Sequence, residues 1–118
     1  MDAELRVMRS PAPAGERRLA VAGQADMETV RVLEDALDAA LGDPPRPTAV
    51  VVDCSALAFC TSAGLDALLR ARLAATAVGT AFRLVAPTPQ MVRLLRVTEA
   101  DTVFAVEPAG EPPMKAPR

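Results

Sequence analysis

The segment VVVDCSALAFCTSAGLDALLRARL, residues 50–73, decides the fold. Residues 48–52, which run into its start, form a short β-branched run with no polar alternation, the pattern of a strand covered on both faces and central in a sheet. Toward its end, Leu65, Leu68, Leu69 and Leu73 recur at helical spacing up to Gly79, while Arg70 and Arg72 point elsewhere, so a helix follows the strand. Two adjacent hydroxyls, Thr61 and Ser62, stand where the strand hands over to the helix. They can be read as a helix cap, a common use of Ser and Thr. They can also be read as a switch, because a helix start offers unpaired N–H groups and a partial positive charge that tolerate a phosphate.

The same reading extends in both directions. Residues 4–9 and 17–23 are short strand candidates separated by SPAPAG, which suits a hairpin with a loose loop. From Glu28, the spacing of Val30, Leu33, Leu37, Ala40 and Leu41 predicts an amphipathic helix, ended by Gly42 and DPPRP. Beyond Gly79, residues 81–86 read as another buried strand. Thr88 then caps a third helix with Pro89 at its first position. Met91, Leu94 and Leu95 form the apolar face of that helix, with Gln90, Arg93 and Arg96 outward; a last strand covers residues 102–106. The expected architecture is α/β: one domain with a mixed central sheet of about five strands, about three helices packed on it and right-handed crossovers. In such folds, binding surfaces gather where strands hand over to helices, as at Thr61 and Ser62.

Composition narrows the function. A chain of 118 residues that is 51% hydrophobic has material for one core and no second domain. Thirteen Lys and Arg against fifteen Asp and Glu, scattered, give a net charge of -2 and suggest neither nucleic acid nor an anionic membrane as partner. The longest uncharged stretch, residues 54–65, is too short to span a bilayer, and MDAELRVMRS lacks the apolar core of a signal peptide, so a cytoplasmic location is expected. With no His, the chain cannot build a Ser-His-Asp or Cys-His site, and its glycines do not have the spacing of a phosphate-cradling loop. No cofactor or metal is expected. Cys54 and Cys60 match no zinc pattern and read as small buried thiols, with a redox role as the enzymatic alternative.

LAVAGQAD, VVVDCSALAFCTSAGLDALL and GTAFRLVAPTPQMVRLLRVTEADTVFAV together resemble the STAS domains of bacterial anti-sigma factor antagonists. The similarity runs over residues 5–106. It is most specific at Asp53 to Ser55 and at a turn of the form D-S-x-G-L, here Thr61-Ser62-Ala63-Gly64-Leu65. The resemblance implies a binding module and not an enzyme, formed by residues 1–107; residues 108–118, rich in proline and poor in apolar content, are expected to form a disordered tail. Such a module docks on an anti-sigma factor that is also a serine kinase, and so releases a sigma factor for transcription. Phosphorylation of Ser62 ends the docking, and a phosphatase would reset it. The chain departs from the pattern at Thr61, where the family carries an acid, so Thr61 is a second candidate acceptor. A non-phosphorylated STAS scaffold or accessory subunit of a stress-sensing or lipid-transport assembly is the alternative. A monomer is expected when free.

Asp26, Thr61, Ser62, Ala63, Gly64 and Asp66 are therefore the candidate partner-binding residues. Several residues here also have a plainer reading. Asp26 can favour the start of the first helix, Gly64 can make a tight internal contact, and Asp53 can satisfy backbone groups in a local turn through Ser55. Asp66 would add negative charge one helical turn beyond Ser62, and Met91 reads as core.

Overall fold

The computed structural model of the protein describes residues 4–108. Five strands, β1 (Leu5–Ser10), β2 (Glu16–Ala25), β3 (Ala49–Cys60), β4 (Ala81–Val85) and β5 (Ala105–Glu107), form one sheet in the order β1-β2-β3-β4-β5. β1 runs antiparallel to β2, and β2 to β5 are mutually parallel. The crossovers carry α1 (Val30–Gly42), α2 (Ser62–Ala77) and α3 (Pro89–Val97), with a 3₁₀ turn at Ala100–Thr102 before β5. The expected fold class is thus the observed one. The last strand starts later than expected, because the 3₁₀ turn takes Thr102 and the turn and bend after it take Val103 and Phe104, and it ends one residue further on.

Three parallel crossovers that advance in one direction, each right-handed, place all their helices on one face of the sheet. The core follows suit. Leu19, Val21, Val50, Val52, Phe82 and Leu84 point into a single cluster with Leu33, Leu37, Leu65, Leu68, Met91 and Leu95 from the helices. No described helix covers the opposite face. There Arg83 bridges Glu16 at 2.8 Å and Glu107 at 3.1 Å. Val51, flanked in register by Arg18 and Arg83, is 0% exposed, consistent with the apolar stems of both arginines lying over it.

The central strand is longer than residues 48–52 because it carries two bulges. Pairing with β2 passes from Ala20↔Asp53 to Ala22↔Ala56, then from Gly23↔Leu57 to Gln24↔Phe59, and each step inserts one extra residue in β3. Asp53 and Ser55 therefore lie inside the strand and not in a turn after it. Asp53 Oδ1 does accept a backbone bond, from the Ser55 N–H at 3.0 Å, at the first bulge. In α2 the apolar face also differs from the expected one. Gly64, Ala67, Ala71 and Ala75 are buried beside Leu65 and Leu68, whereas Leu73 is 64% exposed and Leu69 only partly covered. Small residues let α2 lie close to the sheet and α1, and that displaces the leucine stripe. Among the described residues, no helix is long and apolar enough to cross a membrane. The expected tail lies outside the described residues except for Pro108.

Candidate functional site

The ends of β2 and β3 are tied together by one carbonyl. Ala25 O accepts the Thr61 N–H at 2.9 Å and the Thr61 hydroxyl at 3.0 Å. Thr61 sits at the N-cap of α2 in extended conformation, and its own carbonyl receives the first helical bond, from Leu65 N–H at 3.0 Å. Its hydroxyl faces β2, so α2 starts without a side-chain cap. Neither hydroxyl of the pair caps the helix, and the first N–H groups of α2 keep the exposed partial charge of an open helix start. Ser62 occupies the first helical position. It is exposed, and its hydroxyl bonds to no described residue.

Asp26 lies across from this turn. Its Oδ1 accepts the N–H groups of Glu28 at 2.9 Å and Thr29 at 3.1 Å, and Thr29 Oγ1 accepts the Asp26 N–H at 3.0 Å, a reciprocal capping arrangement. Residues 26–29 are thereby folded as a turn, and the regular helix begins at Val30 and not at Glu28. A shallow hollow of about 430 Å³ separates the two turns, lined by Asp26, Met27, Glu28, Thr61, Ser62 and Ala63. Met27 and Glu28 line this hollow but are not among the candidate partner-binding residues of the sequence. Met27, 83% exposed, is the largest apolar side chain at the rim. A Met directly before an acid in a predicted helix start, outside the apolar stripe, was its only sequence signal. A second hollow, of about 360 Å³ between α1 and α2, contains none of the candidate residues.

Gly64 is buried beneath the turn. A side chain there would bring Cβ to 2.8 Å from Ala25 Cβ and 2.9 Å from Cys60 Sγ, so the structure gives this glycine the internal role. Asp66 is exposed and paired with Arg70 at 3.0 Å, one helical turn on, so much of its charge is offset locally.

A family model described as "Mlab, STAS domain" matches residues 8–107. The chain belongs to the STAS domain family. Its solved relatives include an anti-sigma factor antagonist from Mycobacterium paratuberculosis, 32% identical over 89% of this chain and 86% of that one, with a TM-score of 0.73. The Bacillus cell fate determinant SpoIIAA in its phosphorylated form shares the fold at 16% identity, covering 86% and 90% of the two chains, with a TM-score of 0.66. So does the murine anion transporter Slc26a9, at 14% identity over 92% of this chain and 21% of that one, with a TM-score of 0.72. Among curated proteins, none matches in sequence.

The STAS domain buries both of its thiols. Burial pushes Cys54 up to about 12, with Cys60 and Asp53 nearby adding to the effect, and burial alone pushes Cys60 up to about 11. Thiolate, the reactive form, is therefore scarce. Both cysteines in the folded domain are expected to alkylate at pH 8 at least about 100-fold more slowly than an unstructured thiol of pKa about 8.5, and mass spectrometry after a timed iodoacetamide pulse checks this. Asp26→Ala is expected to cost about 1 kcal/mol through loss of the cap, a fall of several degrees in the melting midpoint. An unchanged midpoint would leave Asp26 without its capping role. Among the described residues, no cluster of three metal-ligating side chains occurs.

Proposed function

We propose that this STAS domain is an anti-sigma factor antagonist. It docks through the Ser62 turn on an anti-sigma factor with serine kinase activity, in the cytoplasm, and phosphorylation of Ser62 ends the docking. The observation that carries this reading is Ser62 itself: a free, exposed hydroxyl at the first position of an uncapped helix, on the rim of a hollow. The 32% identity to the mycobacterial antagonist supports the partner class, and the phosphorylated form of SpoIIAA supports a phosphate on this fold. Thr61 is the poorer acceptor, because its hydroxyl is held by Ala25 O.

Chemistry at the turn supports both halves of the cycle. A phosphate on Ser62 meets the open N–H groups of α2, so the domain tolerates it. It adds about 1.5 to 2 negative charges at neutral pH at the point where a partner makes contact. A kinase site already holds nucleotide phosphates and a catalytic carboxylate, which admit a neutral serine and repel its phosphate.

Met27 is the apolar anchor of the surface, on the rim of the hollow that Ser62 also lines. Met27→Ala is expected to weaken docking by about 10-fold or more, because burying such a side chain is worth about 1.5 to 3 kcal/mol. Titration calorimetry against the partner, with the melting midpoint unchanged, is the check. The reading as a whole is tested by incubating the domain with the serine kinase and Mg-ATP and recording intact mass and complex formation. A gain of one phosphate at Ser62, with loss of the complex, is expected. A second reading, a permanently docked and unmodified STAS subunit of a larger assembly, is favoured by Thr61 in place of an acid and by the same fold within a transporter chain. It predicts a complex indifferent to charge at residue 62.

A further inference from the structure

The last strand contacts of β4 pair Val85 with Asp53, yet β3 continues to Cys60. Along the continuation, β2 stands on one side, with Ala25 opposite Cys60. On the other side no described strand stands, and a side chain takes its place. Gln90 Oε1 accepts the Cys60 N–H at 2.9 Å, and Gln90 Nε2 donates to the Cys60 carbonyl at 2.9 Å. The sequence placed Gln90 outward on its helix. Instead its amide, with one acceptor and one donor in a plane, reproduces the edge of a neighbouring strand. Gln90 is the second residue of α3, and that helix is fixed by the Thr88 cap on Met91 N–H at 3.4 Å and by burial of Met91 and Leu95. Ser62 lies two residues beyond Cys60. The turn is thus held from two sides, by Ala25 O on Thr61 and by Gln90 on Cys60.

We infer that Gln90 is the positioning residue of the Ser62 turn: it sets the two peptide planes around Cys60, and so the direction in which Ser62 leaves the strand, and it couples α3 to the acceptor hydroxyl. The inference rests on the reading of Ser62 as the docking and acceptor residue for its functional half, and on geometry alone for its structural half.

Two variants test both halves. Gln90→Leu removes donor and acceptor at similar volume. Gln90→Glu keeps the shape, but its ionised form faces the Cys60 carbonyl with no proton to donate, whereas its protonated form offers one donor and one acceptor again. Amide chemical shifts of Cys60, Thr61 and Ser62 are recorded for each variant against the wild-type chain at the same pH, so that titration of Asp26, Glu28, Asp53 and Asp66 cancels. In Gln90→Leu these shifts move at every pH, and their hydrogen exchange speeds at least tenfold more than that of β2 or α1. In Gln90→Glu they move at pH 8 and return to wild-type positions as the carboxyl protonates. With the kinase and Mg-ATP, the initial rate of mass gain at Ser62 falls at least tenfold in Gln90→Leu. Wild-type shifts in both variants, or a loss of protection spread evenly over the whole domain, overturn the positioning role. A wild-type rate in Gln90→Leu overturns its coupling to Ser62. No mass gain in the wild-type chain instead defeats the acceptor reading, and the shift titration then decides Gln90 by itself.

Discussion

Ser62→Asp is expected to weaken docking on the anti-sigma partner by about 100-fold or more, since like charges brought together in an interface cost several kcal/mol and each 1.4 kcal/mol is a factor of ten. Ser62→Ala is expected to bind within about threefold of the wild-type chain, because an exposed side chain with no bonded partner contributes within about 0.5 kcal/mol. The contrast separates charge from mere loss of the hydroxyl. Stability should move the other way. An acid at the first position of α2 gains a few tenths of a kcal/mol from the helix dipole, so the aspartate variant melts at or slightly above the wild-type midpoint. Raising the ionic strength should narrow the gap between the two variants to the extent that the repelling charges remain solvated. Binding constants for the pair, measured in one buffer, decide the matter. Equal affinities would remove the switch and leave the permanently docked subunit as the reading.

Gly64→Val is expected to destabilise the domain by about 2 to 3 kcal/mol, the upper part of the range for overpacking a core, and to lower the melting midpoint by about 10 °C. Ala25 Cβ and Cys60 Sγ already stand where the new side chain must go, at 2.8 Å and 2.9 Å from its first carbon. Helix propensity offsets little of this, because valine is a weak helix former. Relief requires the start of α2 to lift from the ends of β2 and β3, so docking should fall together with stability. The exchanged pair Gly64→Ala with Ala25→Gly should recover part of the loss relative to Gly64→Ala alone, as neighbouring sites are coupled. A Gly64→Val chain that melts like the wild type would show that the contact yields freely, and would return Gly64 to the candidate partner surface.

The element order could be read from the chain because each apolar run has its own period and each helix its own punctuation. Thr88 and Pro89 mark the start of α3 as expected, and Met91 is core as its spacing implies. The second half of β3 was hidden for a definite reason. Its core-facing positions, Val50, Val52, Cys54, Leu57 and Cys60, are spaced by two and then by three, since each bulge adds a residue, and no strand template contains that change. The leucine stripe misled the reading of α2, since close packing chose glycine and alanine over Leu73. At the site, the family pattern pointed to Ser62 and Asp26, but which oxygen or N–H each used depended on contacts between elements distant in sequence. Thr61 with Ala25 spans 36 residues and Gln90 with Cys60 spans 30, beyond the reach of any local pattern.

The face of the sheet that no described helix covers has a consequence for the molecule in the company of its own copies. Parallel strands bearing Ala20, Ala22, Ala49, Ala81 and Ala105 on one side would offer a flat template for stacking sheet upon sheet. Arg83, clasped between Glu16 and Glu107, puts an ion network in the middle of that template. Two such faces could meet only by stripping water from both networks, at a cost their attraction does not recover. The network therefore acts as a colloidal device: it sets charge in the middle of a face that no described helix covers, and that charge opposes the stacking of one such face on another.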